Sequence, residues 1–255
     1  MIDSNIYFID FIEFIILFRL FIFKGFVIIK EIKDLFFNID NDFLEMDYPR
    51  VTDILAFTQS AENKARLENW RQRCYHQGLD PDLLSQQAKD LGTQFHTAIF
   101  NYLKTGEEPY FANLETCGHQ QGLIEFTRWR FALSHLNELK AYFLYLEQEV
   151  ISQRWQYIGH LDGLALLDNR LVVIDWKTSG KYKKREWIQD YFIQGTAYAL
   201  AAFESGLVNR LPEEVHIYIF SPQRCQIFTA PVASFGPLWI QRLNQYQYLT
   251  QSLTA

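Results

Sequence analysis

Three residues stand where apolar side chains are expected: Asp162, Asp175 and Lys177. Residues 171–174 read Leu-Val-Val-Ile, an unbroken apolar run with β-branched members, as in a strand buried on both faces. That strand runs on into Asp175 and Lys177. Side chains alternate along a strand, so Val173, Asp175 and Lys177 share one face while Ile174 and Trp176 take the other. A buried charge costs several kcal/mol after relaxation unless it is paired or bound to a metal. Residues 157–167 form a second strand-like run, and Asp168, Asn169 and Arg170 supply turn residues between the two. A hairpin of this kind brings Asp162 beside Asp175, and adjacent carboxylates repel unless a cation lies between them.

The neighbouring stretches must form the elements that hold this hairpin. Residues 61–76 read as a helix with a largely solvated charged face, and Thr52 is a plausible N-cap for a turn of helix at 53–55. Asp80 caps a further helix with Pro81 at its first position, and Gly106 stops it. On that helix His96 sits at the edge of an apolar stripe of Phe95, Ile99 and Leu103, a place that suits a hydrogen-bonded core histidine as well as a ligand. A helix over 114–139 carries Phe126, Trp129, Phe131 and Leu133 toward the core, with Arg128 and Arg130 facing elsewhere.

Residues 142–152 have strand composition, and alternation puts Glu147, Glu149 and Ile151 on one face. Glu149 is there either a member of the acidic site or a solvated edge carboxylate. After the hairpin come the basic residues Lys181, Lys183, Lys184 and Arg185, a solvated loop or a phosphate contact. A helix over 186–204 carries Tyr191, Gln194 and Tyr198 at helical spacing, and the Gln194 amide needs hydrogen-bond partners among packing residues. Strands at 215–220 and 226–232 and a helix at 237–253 complete the order. It predicts an α/β fold with a central mixed sheet flanked by helices and an N-terminal helical region.

The chain has 255 residues, a formal net charge of −6 and ordinary charged content, so any basic groove for nucleic acid must be local. Cys74, Cys117 and Cys225 are scattered, which argues against a zinc ribbon or a disulfide framework and for a reducing, cytoplasmic setting. No glycine-rich phosphate loop is present. Residues 1–45 are packed with Phe and Ile and lack Ala, Thr, Gln, Pro, His, Trp and Cys, a sharp break from residues 46–255. Asp10, Glu13, Arg19 and Lys24 interrupt its apolar stretch, so no run of about 18 uncharged residues exists for a spanning helix. A membrane-surface anchor is one reading of this segment; the preferred one is upstream sequence translated ahead of a start at Met46.

Asp162, the Asp175-x-Lys177 pair and the Tyr191-x-x-Gln194 of the following helix together resemble the PD-(D/E)XK nucleases, in their RecB-like exonuclease branch. The resemblance spans residues 48–253. Its upstream helical G-x-x-x-H is matched by Gly92 and His96, while Leu91 stands where family members often carry a basic residue. The resemblance implies that His96, Asp162 and Asp175 are metal ligands, with the Trp176 carbonyl beside them. Mixed carboxylate and imidazole ligands suit Mg²⁺ or Mn²⁺. It also implies that Lys177 acts on the attacking water or on transition-state charge, and that Tyr191 and Gln194 steady the hairpin or touch substrate. Thr178, Lys181, Lys183 and Lys184 would meet phosphates.

The implied activity is hydrolysis of DNA, at single-stranded ends, in repair or replication, with a helicase or other repair protein as a possible partner class. Some RecB-like nucleases carry an iron–sulfur cluster on four cysteines; this chain has three, and no cluster is expected. A non-catalytic nucleic-acid-binding subunit is the alternative, and it would be expected to lose Asp175 or Lys177. A sugar hydrolase built on the two aspartates leaves Lys177 and His96 without roles. If translation starts at Met46, mass spectrometry of the native protein will find no peptide from residues 1–45; such peptides would contradict that origin.

Overall fold

The computed structural model describes residues 48–112 and 120–254. The readings made for residues 1–45, for Cys117 and for a helix starting at 114 fall outside the described residues. The elements in order are α1 (Val51–Phe57), α2 (Ala61–His76), α3 (Pro81–Thr105), a 3₁₀ turn (Tyr110–Ala112) and α4 (Gln120–Glu138). Strands β1 (Ala141–Ser152), β2 (Tyr157–Leu167) and β3 (Arg170–Thr178) follow. A 3₁₀ turn (Arg185–Trp187), α5 (Gln189–Glu204), β4 (Glu214–Phe220), β5 (Cys225–Pro231) and α6 (Val232–Thr254) complete the chain.

The caps decide several helix limits. Ser60 accepts from the Asn63 N–H at the start of α2, and Asp80 accepts from Asp82 and Leu83 at the start of α3, with Pro81 in the first turn. Gly106 ends α3 in the left-handed conformation at φ 75°, where a side chain would be strained. Thr52 is not a cap: α1 begins at Val51 with Arg50 before it and no side-chain cap. Instead the Pro49 carbonyl accepts from Ile158 N–H at 3.1 Å and Arg50 bridges to Ile158, so β2 sets where α1 starts. The last helix starts ahead of Pro237, at Val232, with the proline inside it.

One five-stranded sheet runs in the order β1-β2-β3-β4-β5, with β3 and β4 parallel and the other neighbours antiparallel. Asp168 and Asn169 join β2 to β3 with φ values of 48° and 63°, the left-handed pair of a two-residue hairpin turn. The sheet buries both faces. One face carries Leu171, Val173, Val215 and Ile217 against Phe192 and Ala197 of α5 and Trp239 and Leu243 of α6. The other carries Val172, Ile174, Trp176 and Phe220 against Phe95 and Ile99 of α3 and Trp129 and Leu133 of α4. Arg128, expected to face away, is buried and pairs with Glu125, whereas Arg130 is exposed. Among the described residues no helix is long and apolar enough to cross a membrane.

Gly195 lets α5 sit close on β4. A Cβ there would lie 2.3 Å from Val215 Cγ1, a side chain that is itself buried. Helix propensity favours Gly195→Ala by about 1 kcal/mol, but overpacking a filled core costs about 1–3 kcal/mol, so the clash prevails. Urea unfolding should show a net loss on the order of 1 kcal/mol for Gly195→Ala. The same change made in a Val215→Ala background should cost less. An equal loss in both backgrounds would show that this contact does not limit the approach.

Candidate metal centre

The hairpin sets the two aspartates side by side. The β2–β3 ladder ends at the Gly163–Ile174 pair, and Asp162 and Asp175 are the next residue on each strand. Both are buried, at 7% and 1% exposure. Asp162 Oδ2 accepts from the Trp176 backbone N–H at 2.7 Å, which ties the two strands together through the site itself. His96 of α3 brings its Nδ1 to 3.3 Å from Asp162 Oδ1. Lys177 Nζ donates to Asp175 Oδ1 at 2.7 Å, while Asp175 Oδ2 is buried without a hydrogen-bond partner.

Strict alternation does not produce this arrangement. Leu161 and Leu164 pack into the same buried cluster, while Ala165 belongs to the opposite one. In an unbroken strand Leu161 and Ala165 would share a face. The face is therefore exchanged around Asp162. The neighbouring β1 is irregular as well: its register shifts between Phe143 and Tyr145, and Glu147 takes φ 48°. Leu146 pairs with Gly163 and Gln148 with Leu161, leaving Glu147 opposite Asp162. Irregularities of this kind re-aim side chains next to functional sites.

Glu147 is accordingly the residue that sequence reasoning missed. It supplies a carboxylate oxygen that, with one ligand atom each of His96 and Asp162, forms a set lying mutually within 4.8 Å. Its Oε2 also lies 3.0 Å from His160 Nε2. Alternation put Glu149 on the same face as Glu147, but the left-handed turn at Glu147 separates them. Glu149 is exposed and lines a cavity of about 580 Å³ with Arg154 and Glu204, among other groups. It takes no part in the acidic cluster.

Electrostatics follow from burial and neighbours. Burial pushes the Asp175 carboxyl above its ordinary range and the Asp162 charge adds to that shift, with Lys177 opposing. Asp162 is also opposed by burial, yet hydrogen bonding and charge from His96, with Lys177 and the Trp176 N–H, hold it below its ordinary range. His96 and Lys177 are both held above their ordinary values despite burial, by the aspartates. Asp175 is not a member of that His, Asp and Glu set, but its unpartnered buried oxygen, on the strand next to Asp162, is a further acceptor of the kind a hard divalent cation fits. Asp175 Oδ2 is the orphaned acceptor that such an ion would satisfy, and His96, Asp162 and Glu147 offer further ligand atoms.

The surrounding residues divide into two groups. Tyr191 places its ring 5.3 Å from Lys177 Nζ, and Gln194 donates to the Tyr198 hydroxyl at 2.7 Å. Tyr198 packs on β2 so closely that a Cβ at Gly159 would lie 2.5 Å from its ring. Gln194 thus steadies the hairpin through Tyr198. Gly92 packs over the end of β3, where an added Cβ would lie 3.8 Å from Thr178 Oγ1. Lys181 and Lys184 are exposed on the loop beyond, while Lys183 has its backbone N–H and carbonyl both bonded to the Gln226 amide at 2.9 Å.

No family model matches the chain. Over 143 residues it is 31% identical to mitochondrial genome maintenance exonuclease 1 of Mus musculus. Over 153 residues it is 30% identical to the Homo sapiens protein of the same name. The chain is similar in sequence to genome maintenance exonucleases. The matches cover 53% and 58% of this chain and only 38% and 39% of the mouse and human proteins. The chain thus spans well under half the length of the curated relatives it matches. Two solved structures align more loosely. SSO0001 matches at TM-score 0.32 and 15% identity over 60% of this chain and 71% of its own. LHK-Exo in complex with dAMP matches at TM-score 0.29 and 10% identity over 64% and 85%.

A chain with this centre should bind divalent cations through its buried aspartates. Mn²⁺ at 100 times its Kd should stabilise the fold by about 2.7 kcal/mol, read as a raised unfolding midpoint. Asp162→Asn and Asp175→Asn should lose most of that rise, and Glu149→Gln should keep it. A full rise in Asp175→Asn would remove this carboxylate from the centre.

Proposed function

We propose that the chain is a divalent-metal-dependent nuclease of the PD-(D/E)XK type that hydrolyses DNA phosphodiester bonds, acting as an exonuclease on single-stranded ends in repair or replication. The observation that supports it most is the buried Asp162, Asp175 and Lys177 at one point of a hairpin, with His96 delivered from α3 and Asp175 Oδ2 left unpartnered. The sequence similarity to genome maintenance exonucleases favours the same reading.

In this reading His96, Asp162 and Asp175 hold Mg²⁺ or Mn²⁺, with Glu147 at its flank and the Trp176 carbonyl as a further oxygen. A cation bound there supplies Lewis acidity toward the phosphate and lowers the pKa of water. The protein's own groups do the rest. Asp162 is fixed by the Trp176 N–H, so its other oxygen is already oriented toward His96. Lys177 stays protonated in this acidic pocket and can hold the attacking water or meet charge developing on the phosphate. Tyr191 underlies the Lys177 ammonium and limits where it can move. Thr178 at the end of β3 and Lys181, Lys183 and Lys184 in the segment after it would contact the strand's phosphates. Products would carry 5′-phosphate and 3′-hydroxyl ends. The free thiols of Cys74 and Cys225 suit a reducing compartment such as the cytoplasm.

The test uses the full chain with 5′- and 3′-labelled single- and double-stranded oligonucleotides in Mg²⁺ or Mn²⁺. Cleavage from single-stranded ends is expected, lost in EDTA and reduced by at least about 100-fold in Lys177→Ala. Absence of cleavage on every substrate, or cleavage unaffected by EDTA, would overturn the proposal.

A further inference from the structure

The segment leaving β3 is longer than a plain connection and is tightly held. Ser179 N–H donates to the Phe220 carbonyl at 2.9 Å, and the Ser179 hydroxyl donates to the Lys181 carbonyl at 2.7 Å. Gln226 of β5 brackets Lys183 on both of its backbone groups. Arg185 donates to the Thr229 carbonyl at 2.9 Å. Across from it, the Ser221 hydroxyl accepts from the Gln223 and Arg224 N–H groups and donates to the Arg224 carbonyl, which fixes the β4–β5 turn. Two pinned backbones therefore face each other at the end of the catalytic strand.

What they present is unusual for a solvated loop. Tyr182 and Trp187 are 52% and 50% exposed, although burying a large apolar side chain contributes about 1.5–3 kcal/mol. Each carries a cation over its ring: Arg224 at 5.1 Å from the Tyr182 centroid and Lys184 at 5.3 Å from that of Trp187. A cleft of about 240 Å³ opens between Lys181, Tyr182, Ser221 and Arg224. Tyr182 lies five residues beyond Lys177, so their Cα atoms are at most about 18 Å apart.

We propose that Tyr182 and Trp187, with Arg224 and Lys184 beside them, form a stacking platform for the unpaired nucleobases of a single strand whose backbone passes Lys177. Rigid aromatic faces next to cations are what base stacking needs, and stacking tolerates any base sequence. An acidic peptide would use the cations and leave the rings idle. A duplex would offer the phosphates but keep its bases stacked on one another. The inference rests on the nuclease reading for its substrate, and it adds that the protein grips the bases as well as the phosphates.

Fluorescence anisotropy of a labelled single-stranded oligonucleotide in EDTA tests it, because binding is then read without hydrolysis. The comparison strand has the same length and phosphates but internal abasic sites. The full chain should bind the base-bearing strand about tenfold more tightly than the abasic one or a duplex. Tyr182→Ala and Trp187→Ala should each weaken the base-bearing complex roughly tenfold and the abasic complex less than about twofold, with Tyr182→Phe and Trp187→Tyr restoring most of the loss. Equal loss on both strands, no loss on either, failure of the aromatic replacements to restore binding, or wild-type binding that ignores the bases would each overturn the platform. A chain that discriminates as expected in EDTA yet cuts nothing with metal keeps the platform and loses the nuclease.

Discussion

One buried carboxylate carries the tension on which the rest of this structure turns. Asp175 is 1% exposed, has Lys177 on one oxygen and no hydrogen-bond partner on the other, and stands beside the buried Asp162. Leaving a buried acceptor unmade costs about 1–3 kcal/mol, more for a charged group, and the neighbouring carboxylate adds repulsion. A core strand shaped by stability alone would carry a hydrophobic residue here, since replacing buried ion pairs by packed apolar groups is often neutral or favourable. The apolar residues on both faces of β3 supply the burial that tolerates this charge.

The two helical layers meet at that point with separate tasks. From one layer α3 delivers His96 to Asp162 and passes over the end of β3 at Thr178. From the other, α5 sets Tyr191 under Lys177 and braces β2 through Gln194 and Tyr198. Arg242 locks the outer helices by donating to Thr58, Asp190 and the Leu55 carbonyl, so α1, α5 and α6 hold together as one support. The face exchange in β2 then turns Asp162 toward α3 while its neighbours stay in the core.

Much of this was legible in residue order because local rules act alone there. The hairpin register follows from two apolar runs joined at Asp168 and Asn169, and the limits of α3 follow from Asp80, Pro81 and Gly106. Glu147 was hidden because a left-handed glutamate breaks the alternation by which strands are read, which drew attention to Glu149 instead. The start of α1 was misplaced because a tertiary bridge from Arg50 to Ile158 replaces the cap that Thr52 offered. Arg128 looked solvent-directed because its partner Glu125 lies on the same helix, and only packing shows the pair to be buried. The anchoring of the basic segment by Gln226 is likewise invisible, since it joins residues 43 apart in sequence.

Anomalous diffraction from a crystal soaked in Mn²⁺ tests the central claim most directly. The account predicts a peak in contact with Asp175 Oδ2, Asp162 and His96, with Lys177 displaced from full engagement of Asp175 or sharing it. A peak held by Glu147 and His160 away from Asp175, or none at all with Asp175 Oδ2 still unpartnered, would contradict it.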